Sequence, residues 1–547
     1  MVGHTIAEIF GHILFSFTRS VAEQSNFPKS ENHSTLFGYN ALEDTGKEWY
    51  AQPVDEVIYQ EFSNGEAVAN DYFTSNLPEV RITSASSTDD IGQTQEESNE
   101  SAMAWKHLRP SIFYTVLNSM YFGLFISVLG ASFAGLASIA VFYFSFQTQL
   151  ICLTRPKESI PIKLQWAITI SEVFSVWFIY LPCFVNIICY FRPFQISGLK
   201  STLFFLCFGF YLLDSAYRIT MQAFGLSQPT ITLTQQIPAM GIYHIDVCVL
   251  FYLLTRHFYP GLIKRQIKTL LLLIVACVAT QLSAVIAANL IYPKYNEQRK
   301  SGKLIIAIFA PLIVLLLKGV SRVCVQRSWT RISYPATSFV LLVPLYCGSA
   351  IMVRLLQLDL QSLGSVALIG VIHGIAEVIE RSTMVIIDHY YNQILEKRRI
   401  PLGGFRTPRR ERLAADICIM GMLYESCAII SVNGLLYLYQ CFYTSGNSPL
   451  HLFQSFALTT SVPLFIEWFF TGVSIFVETR YQNMPIIAVW RRRWKRHVIL
   501  AVINIVMISI WASTSLLKNL THSVCIARLC CCCYPGYAYN APIFGQR

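Results

Sequence analysis

Residues 112–153 read IFYTVLNSMYFGLFISVLGASFAGLASIAVFYFSFQTQLICL, 42 consecutive positions without one charged side chain. Coiled as an α-helix this run would measure about 60 Å, roughly twice the hydrocarbon thickness of a bilayer. Two readings fit that length. Either one helix crosses and continues beyond the membrane, or Gly130-Ala-Ser-Phe-Ala-Gly135 turns a tight hairpin of two crossings. We take the single span as the expectation and keep the hairpin as its alternative.

Similar apolar runs recur on the C-terminal side, near 165–191, 201–224, 242–257, 268–292, 304–320, 334–353, 363–389, 415–440, 451–477 and 498–517. Runs of that length satisfy their backbone groups in lipid only as helices. The predicted fold is therefore all-α: a polytopic transmembrane helix bundle of about 11 spans (10–12), led by a disordered acidic N-terminal tail. Composition agrees. Of 547 residues 54% are hydrophobic and 14% charged, with a mean hydropathy of +0.46, which suits one large membrane domain better than several soluble ones. The expected organisation is a largely disordered cytoplasmic tail over 1–110, a multi-pass domain over 111–517, and a short Cys-rich tail over 518–547.

The net charge of +10 conceals an asymmetry. Residues 1–110 hold 17 Asp/Glu against 6 Lys/Arg, and the remainder 15 against 36. The basic residues sit in links beside apolar spans, so a nucleic-acid partner is not inferred; cytoplasmic loops and anionic lipid account for them. Links after even-numbered spans carry 23 Lys/Arg and the other set 11, which makes the first set cytoplasmic. With 112–153 as one span the N-terminus is cytoplasmic too, in plasma membrane or endomembrane alike. Residues 20–104 contain too little apolar surface to offset the entropy of folding. Partners of that tail are not specified by its composition. Glu8 and His12 interrupt the early run Ile6 to Phe17, so no cleaved signal peptide is read there.

Ionisable side chains inside hydrocarbon are costly unless paired or wet, and for that reason mark candidate sites. The eighth span stands out. At 100° per residue His373, Glu377, Glu380 and Asp388 fall within about 80° of one another, with Met384 between them. Arg381 lies one turn after Glu377, in the order that suits an i,i+4 ion pair. The stripe reads either as a wet pathway for protons or cations, or as a paired helix contact. Gly370 and Gly374 form a GxxxG on the adjoining face. Glu425 in the ninth span and Glu467 in the tenth have no oppositely charged partner on their own helices, so each needs a basic group across the bundle, a proton or water. Asp214 and Arg218 repeat the i,i+4 pair. Glu172, His244 and Asp246 fall nearer span ends. Pro182, Pro311, Pro344 and Pro463 lie inside spans and are expected to free backbone carbonyls.

Two links are strongly basic, one with Arg398, Arg399, Arg409 and Arg410 and the other with Arg491, Arg492 and Arg493. Both are candidates for anionic lipid headgroups. The unbroken run Cys530, Cys531, Cys532 and Cys533 lacks the spacing of a zinc site and suits acylation, although the charge count places that end outside. No P-loop, dinucleotide fingerprint, zincin or nucleophile-elbow pattern occurs, so no cofactor, metal or catalytic residue is assigned and an enzyme is disfavoured. The leading functional expectation is a transporter or channel that moves a small solute or ion through the bilayer along the polar stripe of the eighth span. The alternatives are an intramembrane acyl or lipid transferase with His373 as base, and a non-catalytic receptor or scaffold.

Overall fold

The computed structural model describes residues 112–144, 161–191, 196, 198–226, 233–298, 300–328, 337–358, 363–397, 408–443, 448–480, 484 and 486–528. The acidic tail, the Cys run, and Arg398 and Arg399 lie outside the described residues. Regular structure among the described residues is helical, with no strand. The chain is a polytopic membrane helix bundle. Among the described residues ten helices are long and apolar enough to cross a membrane.

In chain order the helices are α1 (Ile112–Phe144), α2 (Ile162–Tyr190), α3 (Lys200–Ala223), α4 (Leu233–Phe258), α5 (Ile263–Ile286) and the short α6 (Tyr292–Glu297). They continue with α7 (Lys300–Ser328), α8 (Val343–Leu358), α9 (Leu363–Lys397), α10 (Pro408–Tyr443), α11 (Pro449–Arg480) and α12 (Ile486–Arg528). α9 is 35 residues long but carries Glu377, Glu380 and Arg381, which sets it apart from the ten apolar helices.

The chain divides into two compact units. One draws on Met1–Ser127, Gly370–Met422 and Phe465–His497, and the other on Val128–Ile369, Leu423–Leu464 and Val498–Arg547.

In the second unit, α1 answers the question posed by its length. The helix runs straight through Gly130–Gly135 as a π turn, flanked by Leu129 and Leu136 in ordinary helical conformation, so the hairpin is excluded. The glycines serve packing. A Cβ on Gly130 would lie 2.8 Å from the Leu423 carbonyl oxygen, one on Gly135 2.8 Å from Ile430, and one on Gly434 2.5 Å from Ile139. Residues 130, 135 and 139 of α1 thus meet 423, 430 and 434 of α10 in the same order, and the two backbones lie in near contact, running in one direction. A π turn also takes up the slack where α5 passes through Ala287–Ile291 into α6.

α2, α3 and α4 pack as successive neighbours, and α2 and α3 run antiparallel. Trp177 of α2 meets Tyr211 of α3 at 4.9 Å between ring centroids. Thr169 of α2 donates to Gln222 of α3 at 3.1 Å. Asn186 of α2 and Asn504 of α12 exchange side-chain bonds at 2.7 and 3.3 Å, a buried amide pair that satisfies both groups away from water. Before α8, Thr337 donates to the Cys189 carbonyl, and Ser338–Leu342 forms a buried 3-10 turn. Pro344 is therefore the second residue of α8, where its missing N–H costs nothing, and it frees no carbonyl of the kind a mid-helix proline would. Pro182, Pro311 and Pro463 do lie within helices, as does Pro238 of α4. Tyr295 donates to the Leu356 carbonyl at 2.5 Å.

Candidate functional site

In the first unit, Gly370 of α9 approaches Ile466 of α11, Gly374 approaches Phe470, and Arg381 meets Glu478. The pairs ascend together, so α9 and α11 run in the same direction. Gly370, Gly374, Glu377 and Arg381 stand at i, i+4, i+7 and i+11, which makes them one helix face. The two glycines let the backbones close up, and the polar side chains follow on the next turns.

α11 carries its own polar row. Glu467, Thr471, Ser474 and Glu478 repeat the i, i+4, i+7, i+11 spacing, and all are buried, the most exposed at 2%. Thr471 donates to Glu467 at 3.4 Å. Leu458, Phe465 and Phe469 of α11 are exposed, as befits lipid contact, whereas Ile475 and Val477 are buried.

Arg381 closes the arrangement. Its Nε and Nη2 reach the two carboxylate oxygens of Glu478 at 2.8 and 2.5 Å, a bidentate fork that fixes both groups. The Cys418 thiol of α10 donates to the same carboxylate at 3.3 Å. Glu377 touches the guanidinium only through Nη1, at 3.5 Å, beyond good hydrogen-bond range. One arginine is thus shared unequally: Glu478 is locked, and Glu377 is held electrostatically. The sequence-expected pair of Glu377 and Arg381 exists, but it is the weaker of the two. His373 lies one turn before Glu377, half-buried. Glu380 is half-buried and makes no ion pair among the described residues; the Asp388 side chain lies outside them.

A second buried pair stands nearby in sequence. His497 Nε2 of α12 meets Asp416 Oδ1 of α10 at 2.8 Å, each side chain 1% exposed, while Nδ1 reaches the Arg493 carbonyl at 3.0 Å. One ring nitrogen therefore faces a carboxylate and the other an acceptor, an arrangement that orients the imidazole firmly. The Trp490 ring packs 6.2 Å from that of His497.

Glu425 belongs to the other unit. Its carboxylate meets Arg354 of α8 at 3.4 Å, and Arg354 also donates to Gln357 at 3.0 Å. The requirement for a basic partner across the bundle is met by a buried salt bridge. Asp214 and Arg218 form the expected pair at 3.1 Å. Asp246 departs from expectation. α4 begins at Leu233, nine residues before the span read from hydropathy, so Asp246 is a mid-helix residue, 2% exposed.

Among the basic candidates, Arg491 is exposed and stacks 4.9 Å over the Phe122 ring, and Arg493 is half-buried. The side chains of Arg409, Arg410 and Arg492 lie outside the described residues, as do Cys530 to Cys533.

Three of the groups that define these sites escaped the sequence reading: Glu478, His497 and Arg354. Glu478 had a signal, because it lies eleven residues after Glu467 and so on the same helix face. Comparison with protein-family models, with curated proteins and with solved structures returns no match for this chain.

Proposed function

We propose that this multi-pass protein moves protons or a small cation, and that Glu377 is the exchangeable carboxylate of the pathway. The observation that supports this is the unequal sharing of Arg381. Glu478 keeps the guanidinium in place through two short bonds, so Glu377 can gain or lose a charge without releasing it. A group with that freedom inside a membrane suits ion passage, because its charge can be swapped while the helix contact stays intact. His373 one turn away supplies a second exchangeable group, and Glu467, Thr471 and Ser474 extend the polar row along α11.

The test is flux. Purified protein in liposomes loaded with a pH-sensitive dye, driven by an imposed potential and assayed with Na+ and K+ gradients, should carry current above protein-free vesicles. Glu377→Gln should abolish it while the protein remains monodisperse. Single cysteines at 373, 377, 380 and 384 should react with a membrane-impermeant thiol reagent. Equal flux in wild type and Glu377→Gln, or protection of all four cysteines, would reject the reading.

A further inference from the structure

Cys207, Tyr211, Asp214 and Arg218 stand on α3 at i, i+4, i+7 and i+11 and so line one side of it. Tyr180 of α2 packs edge-on against Tyr211 at 6.2 Å and against Tyr243 of α4 at 5.4 Å. The Cys207 thiol donates to the Tyr180 carbonyl at 3.9 Å and lies within electrostatic reach of the Asp246 carboxyl. All of these residues belong to one compact unit, and none takes part in the Glu377 site.

Two polar atoms in this cluster are buried without a hydrogen-bond partner among the described residues: Asp246 Oδ1 and the Tyr180 hydroxyl. The two residues are 2% and 1% exposed, and they lie within electrostatic reach of each other. The titratable groups in electrostatic reach of one or the other are Cys183 from α2, Cys207, Asp214 and Arg218 from α3 and Tyr243 on α4 itself, and Cys277 from α5 reaches Cys183. Arg218 is the one cation in that set, and Asp214 holds it at 3.1 and 3.5 Å. It also lies eleven positions from Cys207, about 16 Å along the helix axis. Asp246 makes no ion pair among the described residues.

An ionised carboxylate so placed costs several kcal/mol, whereas a protonated carboxyl removes the charge and becomes a donor. We infer that Asp246 is a proton-binding site, carrying a proton on Oδ1 in the resting protein and exchanging it with water. On release the Oδ1–H bond breaks, its electron pair stays on the carboxylate, and the proton passes to a water molecule. The site shares no residue with that of Glu377, and its test does not depend on flux.

Infrared spectroscopy of the full-length protein in lipid nanodiscs decides the matter. Wild type at neutral pH should show a protonated-carboxyl C=O band that shifts on deuteration, moves when the aspartates carry a carbon isotope, persists in Asp214→Asn and disappears in Asp246→Asn. The band should weaken as pH is raised. If Asp246→Asn fails to fold, Asp246→Glu serves instead: it should remove the band that moves with the aspartate label. Absence of an isotope-sensitive aspartate band in wild type, or its survival in Asp246→Asn, would overturn the assignment.

Discussion

Arg381 is buried with two carboxylates, and what happens on its removal depends on what is left behind. Truncating it strands Glu478, 0% exposed, as an uncompensated charge, which typically costs about 3–5 kcal/mol. Arg381→Met should therefore lower the apparent Tm sharply in detergent. Arg381→Met combined with Glu478→Met should recover much of the loss, because replacing both members by apolar groups is often near neutral. A double variant no more stable than the single one would mean that Glu377 or Cys418, and not Glu478, carries the coupling. These partners were hard to read from sequence for one physical reason. Glu478, His497 and Arg354 each lie one residue outside a span drawn from hydropathy, because a charge is what ends an apolar run. Their partners are 97, 81 and 71 residues away, so no local pattern returns them to the interior. Glu377 and Arg381 were legible since they share a helix and a spacing. The dominance of Glu478 was not.

Glycine in a membrane helix has two meanings, a turn or a close approach, and local sequence does not separate them. In α1 the contact with α10 does, since the atoms nearest Gly130 and Gly135 belong to residues almost 300 positions on. The distinction can be measured. A Cβ on Gly130 would meet backbone oxygen at 2.8 Å, and backbone cannot swing aside, so Gly130→Ala should destabilise by about 1–3 kcal/mol. At Gly209 on α3 nothing lies within 4 Å, and alanine there should be neutral or gain up to about 1 kcal/mol through helix propensity. Thermal scans of the two variants in one detergent should move in opposite directions or differ clearly in size. Equal shifts would remove close packing as the reason for glycine at position 130. The same logic explains why α10 could be recognised as a helix but not as a central one: 83% of its apolar window is buried against 17% for α5, although the two differ little in hydropathy.

At the scale of the molecule, the bilayer makes the number of crossings legible and leaves their pairing hidden. Apolar length is a one-dimensional property and can be counted along the chain; contact order cannot. Two contacts nevertheless bear on the count. α1 and α10 run in the same direction, by the pairing of 130, 135 and 139 with 423, 430 and 434. α9 and α11 also run in the same direction, by the pairing of 370, 374 and 381 with 466, 470 and 478. If every long helix crosses, α1 and α10 are the first and ninth crossings and α9 and α11 the eighth and tenth, and each pair should indeed be parallel. Dropping α9, with its three charges, would make α10 the eighth crossing and set it antiparallel to α1. The glycine contacts therefore argue that α9 crosses, which makes eleven crossings among the described residues. An odd number would place the chain ends on opposite sides, and the excess of 23 basic residues over 11 in alternate links predicts that the N-terminal one is cytoplasmic. Epitope tags at each end, probed before and after permeabilisation of the membrane, should show only one of the two in intact vesicles, the N-terminal tag where the cytoplasmic face is outermost and the C-terminal tag where it is innermost. Both tags on one side would mean that a charged helix lies along the membrane instead of through it, and α9, the helix that carries Glu377, would be the first to re-examine.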